Sequence, residues 1–439
     1  MTPAKAIKIR EDLDGLPQPP GRPDPHLDRV VVINDEWVAR GGATSIALTS
    51  VKLLHERGVP TTFIAGNSGV DSDHSVQADD FVSLGGTHIL QQSALAGAIS
   101  GLYNATSQLR LSRWIAANDT PRTVYHLHGW SKILSPAVFH ALRPVARRLV
   151  LTAHDFFLVC PNGGYYNYKS EIACKLKPMG AACLLAACDR RSQAQKMWRL
   201  MRQMVQQAVC DLDDVAIVLA VHDGMIPDLI LGGVPKSRLR ALRNPVVPWR
   251  TTRVEAESND LFLYVGRVER EKGVDLLAAA ARKAGVRLGI VGRGSLQPRL
   301  AAAYPDMLQL GWKTHAELAE LIGGARALVM PSRYPEPFGL VAVEALTSGL
   351  PVVISSTAML ADEIVMANYG IACDPSDVSA LAAALSRFAH DDALIAAMSR
   401  NAHAGAGRLA CSPSEWVDDL ITIYRSVLDA PACRPELER

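Results

Sequence analysis

The chain has 439 residues, of which 49% are hydrophobic and 21% charged, enough for two or three domains with sizeable cores. A formal net charge of +2 provides no broad basic field for nucleic acid, and no run of about 18 apolar residues provides a membrane-spanning helix. Eight Cys in a chain of this length do not make a disulfide scaffold.

Residues 1–28 are rich in Pro and charge and lack an apolar signal stretch. They predict a disordered tail and a cytoplasmic protein, with attachment at the inner face of the cell membrane left open. Val30-Val31-Val32-Ile33 then reads as a buried parallel strand. Gly41-Gly42 follows in a loop, and a helix from Ala43 to Arg57 is stopped by Gly58. Further strands are expected at 61–65, 124–128, 149–153 and 215–220. The pattern restarts after Asn244-Pro245, with strands at 261–265, 287–291, 327–330 and 352–354. Strands alternating with helical patterns predict an α/β protein with two Rossmann-like, doubly wound parallel-sheet domains facing a cleft. The expected division is 29–245 and 246–412, with a Pro-rich hinge at 244–248 and an amphipathic helix over 413–430.

Cys160, Cys174, Cys183 and Cys188 fall in one insert of the first half, 160–188. Four thiolates suffice for a tetrahedral structural zinc, though no Cys-x2-Cys knuckle is present; packed thiols are the other reading. Gln193 to Val209 carries Met197, Met201, Met204 and Val205 on one helical stripe, with Arg190, Arg191 and Lys196 around its start. This predicts a core-packed helix with a basic face, or else contact with an anionic membrane or a lipid-linked acceptor. Thr152-Ala153-His154-Asp155 closes a strand at the sheet edge where open α/β sheets bind ligands, and His128 is a second candidate there.

In the second half, Gly266 lets a ligand approach the backbone, and Arg267 and Lys272 project beyond the carboxyl end of the same strand, suited to gripping phosphate. Arg270 and Glu271 between them read as surface charges. Gly292 and Gly294 make another strand-to-turn, and Gly311-Trp312-Lys313 follows the next strand, with Trp312 either capping the core or stacking on a base. The run Glu336-Pro337-Phe338-Gly339-Leu340-Val341-Ala342-Val343-Glu344 then lies between two apolar strands. Phe338, Gly339 and Leu340 fall at a helix start, where unpaired amides and a positive dipole suit a phosphate. Glu336 just before it and Glu344 about two turns later flank that anion site, as hydroxyls flank the diphosphate of a sugar nucleotide.

The Glu-x7-Glu spacing with Pro-Phe-Gly inside resembles the retaining GT-B glycosyltransferases of family 4 type, the group 1 glycosyltransferases, over roughly 30–430 and most strongly over 261–356. The resemblance implies that Glu336 and His154 contact the donor sugar, Glu344 the ribose, and Arg267 with Lys272 the diphosphate. It implies that glycine turns at Gly42, Gly266, Gly292 and Gly311 border the donor, together with Phe338, Gly339 and Leu340. It further implies a retaining hexosyltransferase acting from a nucleoside-diphosphate sugar onto a saccharide or lipid-linked saccharide in bacterial surface polysaccharide assembly, with no catalytic cofactor and no nucleic acid. A nucleotide-dependent oxidoreductase would need Gly-x-Gly-x-x-Gly after the first strand and an acid ending the second, which instead ends Ala65-Gly66-Asn67. A non-catalytic sugar-binding protein on the same fold would be expected to have lost some of Arg267, Lys272, Glu336 and Glu344.

Overall fold

The structure, a computed structural model, describes residues 26–39, 41–67, 78–374 and 376–430. Most of the tail expected at residues 1–28 therefore lies outside the described residues. The first sheet contains β1 (Arg29–Asn34), β2 (Thr61–Asn67), β3 (Asp80–Gly86), β4 (Thr123–Leu127), β5 (Leu149–Ala153), β6 (Ile217–Ala220) and β7 (Leu239–Ala241), in the order β3-β2-β1-β4-β5-β6-β7. The second contains β8 (Leu261–Val265), β9 (Arg287–Val291), β10 (Leu308–Gly311), β11 (Ala325–Met330), β12 (Val352–Ser355) and β13 (Gly370–Cys373), in the order β10-β9-β8-β11-β12-β13. All pairings within both sheets are parallel. Val30 to Ile33 lie in register with both Thr61 to Ile64 and Val124 to Leu127, a central strand, and are fully buried, so both faces are covered and the strand reads as an unbroken apolar run.

Strand order reverses beside β1 in one sheet and beside β8 in the other. Crevices open beyond the carboxyl ends of strands at such switch points. The loops after β1, β4 and β5 carry Gly42, His128 and His154, while those after β8 and β11 carry Lys272 and Glu336. Topology thus brings these segments to two facing edges.

The helix Pro413–Asp429 starts at a capping box between Ser412 and Glu415. Its stripe of Trp416, Leu420, Ile423, Tyr424 and Val427 packs with Val30, Ile46, Val51 and Leu54 in the core of the first sheet. The two chain crossings between the sheets run side by side: Val246 N donates to Cys411 O (3.1 Å) and Cys411 N to Asn244 O (3.3 Å).

Among the described residues no group of three or more His, Cys, Asp or Glu side chains is placed to hold a metal ion, and Cys160, Cys174, Cys183 and Cys188 are not gathered into one. The cation beside the thiols is an ammonium: buried Lys196 donates to Cys188 Sγ at 3.1 Å and lies 3.8 Å from Cys183 Sγ, while Cys160 Sγ donates to Asn162 Oδ1 (3.2 Å).

The helix Gln193–Val209 also sits the other way round from the core-packed expectation. It buries Lys196, Leu200, Arg202, Gln203 and Gln206, and leaves Met197, Met201 and Met204 exposed. The polar face wins because it satisfies main-chain carbonyls that no ladder pairs. The Gln203 and Gln206 amides donate to Leu158 O (3.1 and 2.8 Å), and Arg202 Nε donates to Gly101 O (3.0 Å).

Candidate functional site

The floor of the site is main chain. Gly266, Gly292 and Gly311 end β8, β9 and β10, and their turns are stitched together: Gly266 N donates to Val291 O (3.0 Å) and Gly292 N to Gly311 O (2.7 Å). A Cβ on Gly292, whose φ is +131°, would stand 1.9 Å from Gly266 O, so only glycine permits this approach. The stacked turns offer backbone, with no side chains in the way. Trp312, beyond the third turn, is 63% exposed and caps no core.

Above this floor two helices begin without a side-chain cap. The Leu340–Thr347 helix follows Gly339 in the left-handed region (φ +74°), and Gly42–Glu56 follows extended Gly41. They come from different sheets yet meet head to head, since a Cβ on Gly42 would lie 3.1 Å from Leu340 Cδ1. Two positive helix ends thus converge on one spot, an arrangement suited to an anion. Phe338, two residues before Leu340, is buried.

Lys272 and Glu336 form the charged centre. Gly273 (φ +71°) packs so tightly on Pro331 O that a Cβ would lie 1.9 Å from it, and this pins Lys272 against the loop after β11. Lys272 Nζ pairs with Glu336 Oε1 and donates to Tyr334 OH (2.8 Å). Glu336 also accepts from Ser332 Oγ (2.7 Å) and Tyr334 OH (2.6 Å). Burial pushes the Glu336 carboxyl up, but the Lys272 ammonium and these hydrogen bonds outweigh it and hold the group below its ordinary range. Glu344, half-buried on the Leu340–Thr347 helix, has no such compensation, and burial pushes it up to about 7. Two carboxylates on one segment thus have opposite protonation tendencies.

On the facing edge, His154 Nε2 lies 3.0 Å from His128 Nδ1 with the rings stacked. His128 in turn lies over His126, ring centroids 4.0 Å apart. His126 is fixed by Tyr424 OH at Nδ1 and Thr152 Oγ1 at Nε2, both 2.7 Å. Burial lowers all three imidazoles, His154 to about 4 and His126 to about 3, so the cluster is neutral at neutral pH. Buried His128 Nε2 has no hydrogen-bond partner among the described residues. His128, the weaker sequence candidate, is thus the link between His154 and the core.

A cavity of about 550 Å³ lies between the insert and the loops after β8 and β9, lined by Asp155, Tyr168, Arg190, Arg191, Arg267 and Tyr334 among others. Of the site residues expected from sequence, Arg267 alone borders it, with Tyr334 as the partition toward Lys272 and Glu336. The Arg267 side chain is 59% exposed, and its guanidinium lies 3.8 Å from Glu271. Glu271 is not the surface charge expected; it is buried, because it also receives Arg190 from just after the insert (3.2 Å), while Arg190 reaches Glu269 too (3.1 Å). Arg270 is exposed as expected and pairs with Glu171 of the insert (2.6 Å).

Sequence reasoning missed Ser332, Tyr334 and His126. The first two lie four and two positions before Glu336, where polar residues directly after an apolar strand were the available signal. His126 reads as one more strand residue, and nothing local marks its tie to Tyr424, 298 positions away.

Comparison with known proteins bears directly on this region. Residues 249–404 match the family model of the glycosyl transferases group 1. A glycogen synthase from Mycobacterium tuberculosis is 41% identical over 166 residues, 35% of this chain and 39% of that protein. A D-inositol 3-phosphate glycosyltransferase from Nocardiopsis dassonvillei is 30% identical over 270 residues, 53% of this chain and 60% of its own length. The aligned stretch thus spans less than two thirds of either relative. Among solved structures, a sucrose-phosphate synthase from Thermosynechococcus elongatus superimposes with a TM-score of 0.68 at 18% identity, over 92% of this chain and all of that one. HepE from Anabaena, solved with UDP-glucose, gives 0.62 at 15% identity over 90% and 99% of the two chains. WaaG, a glycosyltransferase involved in lipopolysaccharide biosynthesis, gives 0.62 at 18% identity over 89% and 99%. The fold is GT-B, as the sequence pattern predicts.

Proposed function

We propose that this protein is a glycosyltransferase that moves a sugar from a nucleoside-diphosphate sugar to a hydroxyl acceptor with retention of anomeric configuration. One observation carries the reading: two uncapped helix N-termini from different domains meet at Gly42 and Leu340, beside a side-chain-free glycine floor. A diphosphate fits there, with Arg267 and Lys272 supplying the side-chain positive charge. Support comes from the group 1 match over 249–404 and from a fold neighbour solved with UDP-glucose.

In this reading Glu336, kept ionised by Lys272, accepts from sugar hydroxyls, and Glu344 accepts from the ribose. His154, neutral and oriented by His128, contacts the sugar from the opposite edge. The acceptor oxygen bonds to the anomeric carbon on the face from which the diphosphate leaves, and its proton passes to the departing phosphate oxygen. Lys272 and Arg267 stabilise the charge that develops on that phosphate. The acceptor is a saccharide or lipid-linked saccharide of bacterial surface polysaccharide assembly. Assaying hydrolysis of a panel of UDP- and GDP-sugars is the direct test. Turnover of at least one donor, lost in Lys272→Ala and Arg267→Ala, is expected; no turnover or binding of any of them would overturn the reading.

A further inference from the structure

The helix Gln193–Val209 presents its apolar face outward. Met197, Met201 and Met204 are 55%, 47% and 59% exposed. Trp198, which borders that stripe on the helix, donates its indole N–H to Ala98 O (2.9 Å) and lies against Gly101. This ties in the helix Ala94–Leu102, whose Leu95 and Ile99 are also exposed, at 73% and 60%. At the other edge Lys196 links Cys183 to the same helix, and next to Cys183 stand exposed Leu184 and Leu185. Three helices therefore bring thioether and branched aliphatic side chains to one ledge, and the structure buries charge beneath it.

The charge around the ledge has one sign. From Thr87 to Asn118 there is no Asp or Glu, and from Ile172 to Cys210 there is only Asp189, which is buried and paired with Arg199 at 2.7 Å. Lys175, Lys177 and Arg191 in the second stretch are exposed, while exposed Arg190 is already paired with Glu269 and Glu271 and stands outside this set. In a two-fold pairing of this face with itself, that basic set would meet its own copy with no carboxylate to answer it. A polyanion such as nucleic acid would match the charge and leave the methionines and leucines without a role. An anionic bilayer answers both features at once, taking the apolar side chains at the acyl boundary and the basic ones at its headgroups.

We propose that this ledge docks the protein on an anionic lipid surface. The ledge adjoins the cleft, since Arg190, Arg191 and Arg199 line the cavity. Docking there would hold the cavity mouth near a lipid-borne substrate, but the proposal concerns a face outside the donor site and stands apart from the transfer reaction.

The test is co-sedimentation of the full chain with vesicles of phosphatidylcholine alone and of phosphatidylcholine mixed with phosphatidylglycerol. Binding to the mixed vesicles, and much weaker binding to the neutral ones, is expected. The triple variant Met197→Gln, Met201→Gln, Met204→Gln should lose at least about tenfold in partitioning, and Lys175→Gln with Lys177→Gln about fivefold per charge removed. Leu185→Ser, on a different helix, should weaken binding independently and serves if the triple variant melts early. Three outcomes would overturn the proposal: no binding to either vesicle, equal binding to both, or unchanged binding in the Met and Leu185 variants. A concentration-dependent dimer in sedimentation velocity, abolished by the triple variant, would assign the ledge to a second copy instead and equally overturn it.

Discussion

Lys272 and Arg267 stand on one loop and differ in what their removal exposes. Lys272 neutralises buried Glu336, so Lys272→Ala leaves a carboxylate without its counter-charge. This should cost roughly 3–5 kcal/mol of stability in addition to about 100-fold in turnover. Arg267 is largely exposed, and Arg267→Ala should lower turnover on a similar scale with stability changed by less than about 0.5 kcal/mol. Urea unfolding beside steady-state kinetics checks both; an equal loss of stability in the two variants would contradict the pairing described. Glu344 gives a pH signature. Its folded pKa of about 7 lies above the ordinary carboxylate value, so the stability tied to its protonated form is complete below that ordinary value and is lost as pH rises through 7. Glu344→Gln removes this dependence. Its melting temperature should gain on the parent protein between about pH 5 and pH 8, and a pH-independent difference would place the carboxyl in a wetter setting.

At the scale of elements, the site depends on turns and helix ends that are costly to alter. Gly292→Ala would drive a Cβ into Gly266 O and require a left-handed backbone from alanine. The β8 and β9 turns should separate, with a loss of about 1–3 kcal/mol and of nucleotide affinity, both readable by calorimetry. The Pro413–Asp429 helix reaches the site through Tyr424, whose hydroxyl meets His126 Nδ1 under the His128–His154 stack. Tyr424→Phe leaves that buried nitrogen unpaired, for about 1–3 kcal/mol. It should also broaden the orientation of His154, seen as a larger fall in kcat than the change in KM. A change confined to stability would leave the helix a purely structural role. Much at this scale was legible in sequence: β5, β8 and β9 match the predicted strands residue for residue, because strands buried on both faces select predominantly apolar side chains. The Gln193–Val209 helix was not, because an apolar stripe shows that one face differs from the other without showing which faces the core.

At the scale of the whole molecule, the two sheets are held together by charge as well as by the chain crossings. Glu171 of the insert meets Arg270 and Arg333, Arg190 meets Glu269 and Glu271, and Glu363 receives both His222 (2.9 Å) and Arg243 (2.8 Å). Each of these pairs has at least one partly exposed partner, and exposed pairs are worth about 0.2–1 kcal/mol each, so together they bias an opening equilibrium without locking it. Arg190→Ala combined with Glu171→Gln should enlarge the radius of gyration in small-angle scattering, and saturating nucleotide sugar should restore part of the compaction. High salt should mimic the substitution. An unchanged radius in the double variant would mean that the chain crossings and the C-terminal helix alone set the arrangement.

By itself the sequence determined the α/β class with two parallel sheets, and the residues that must stand at the carboxyl ends of β8 and β11. Those follow from local period and from glycines whose backbone no other residue tolerates. Only the tertiary structure decided that Gly42 meets Leu340, that Tyr334 and Ser332 hold Glu336, that Glu271 is buried, and that Lys196 reaches Cys183 and Cys188. Each of these joins segments from separate elements, most of them far apart in sequence, and the free energy of such a contact depends on what the fold places opposite, which no window of neighbouring residues encodes.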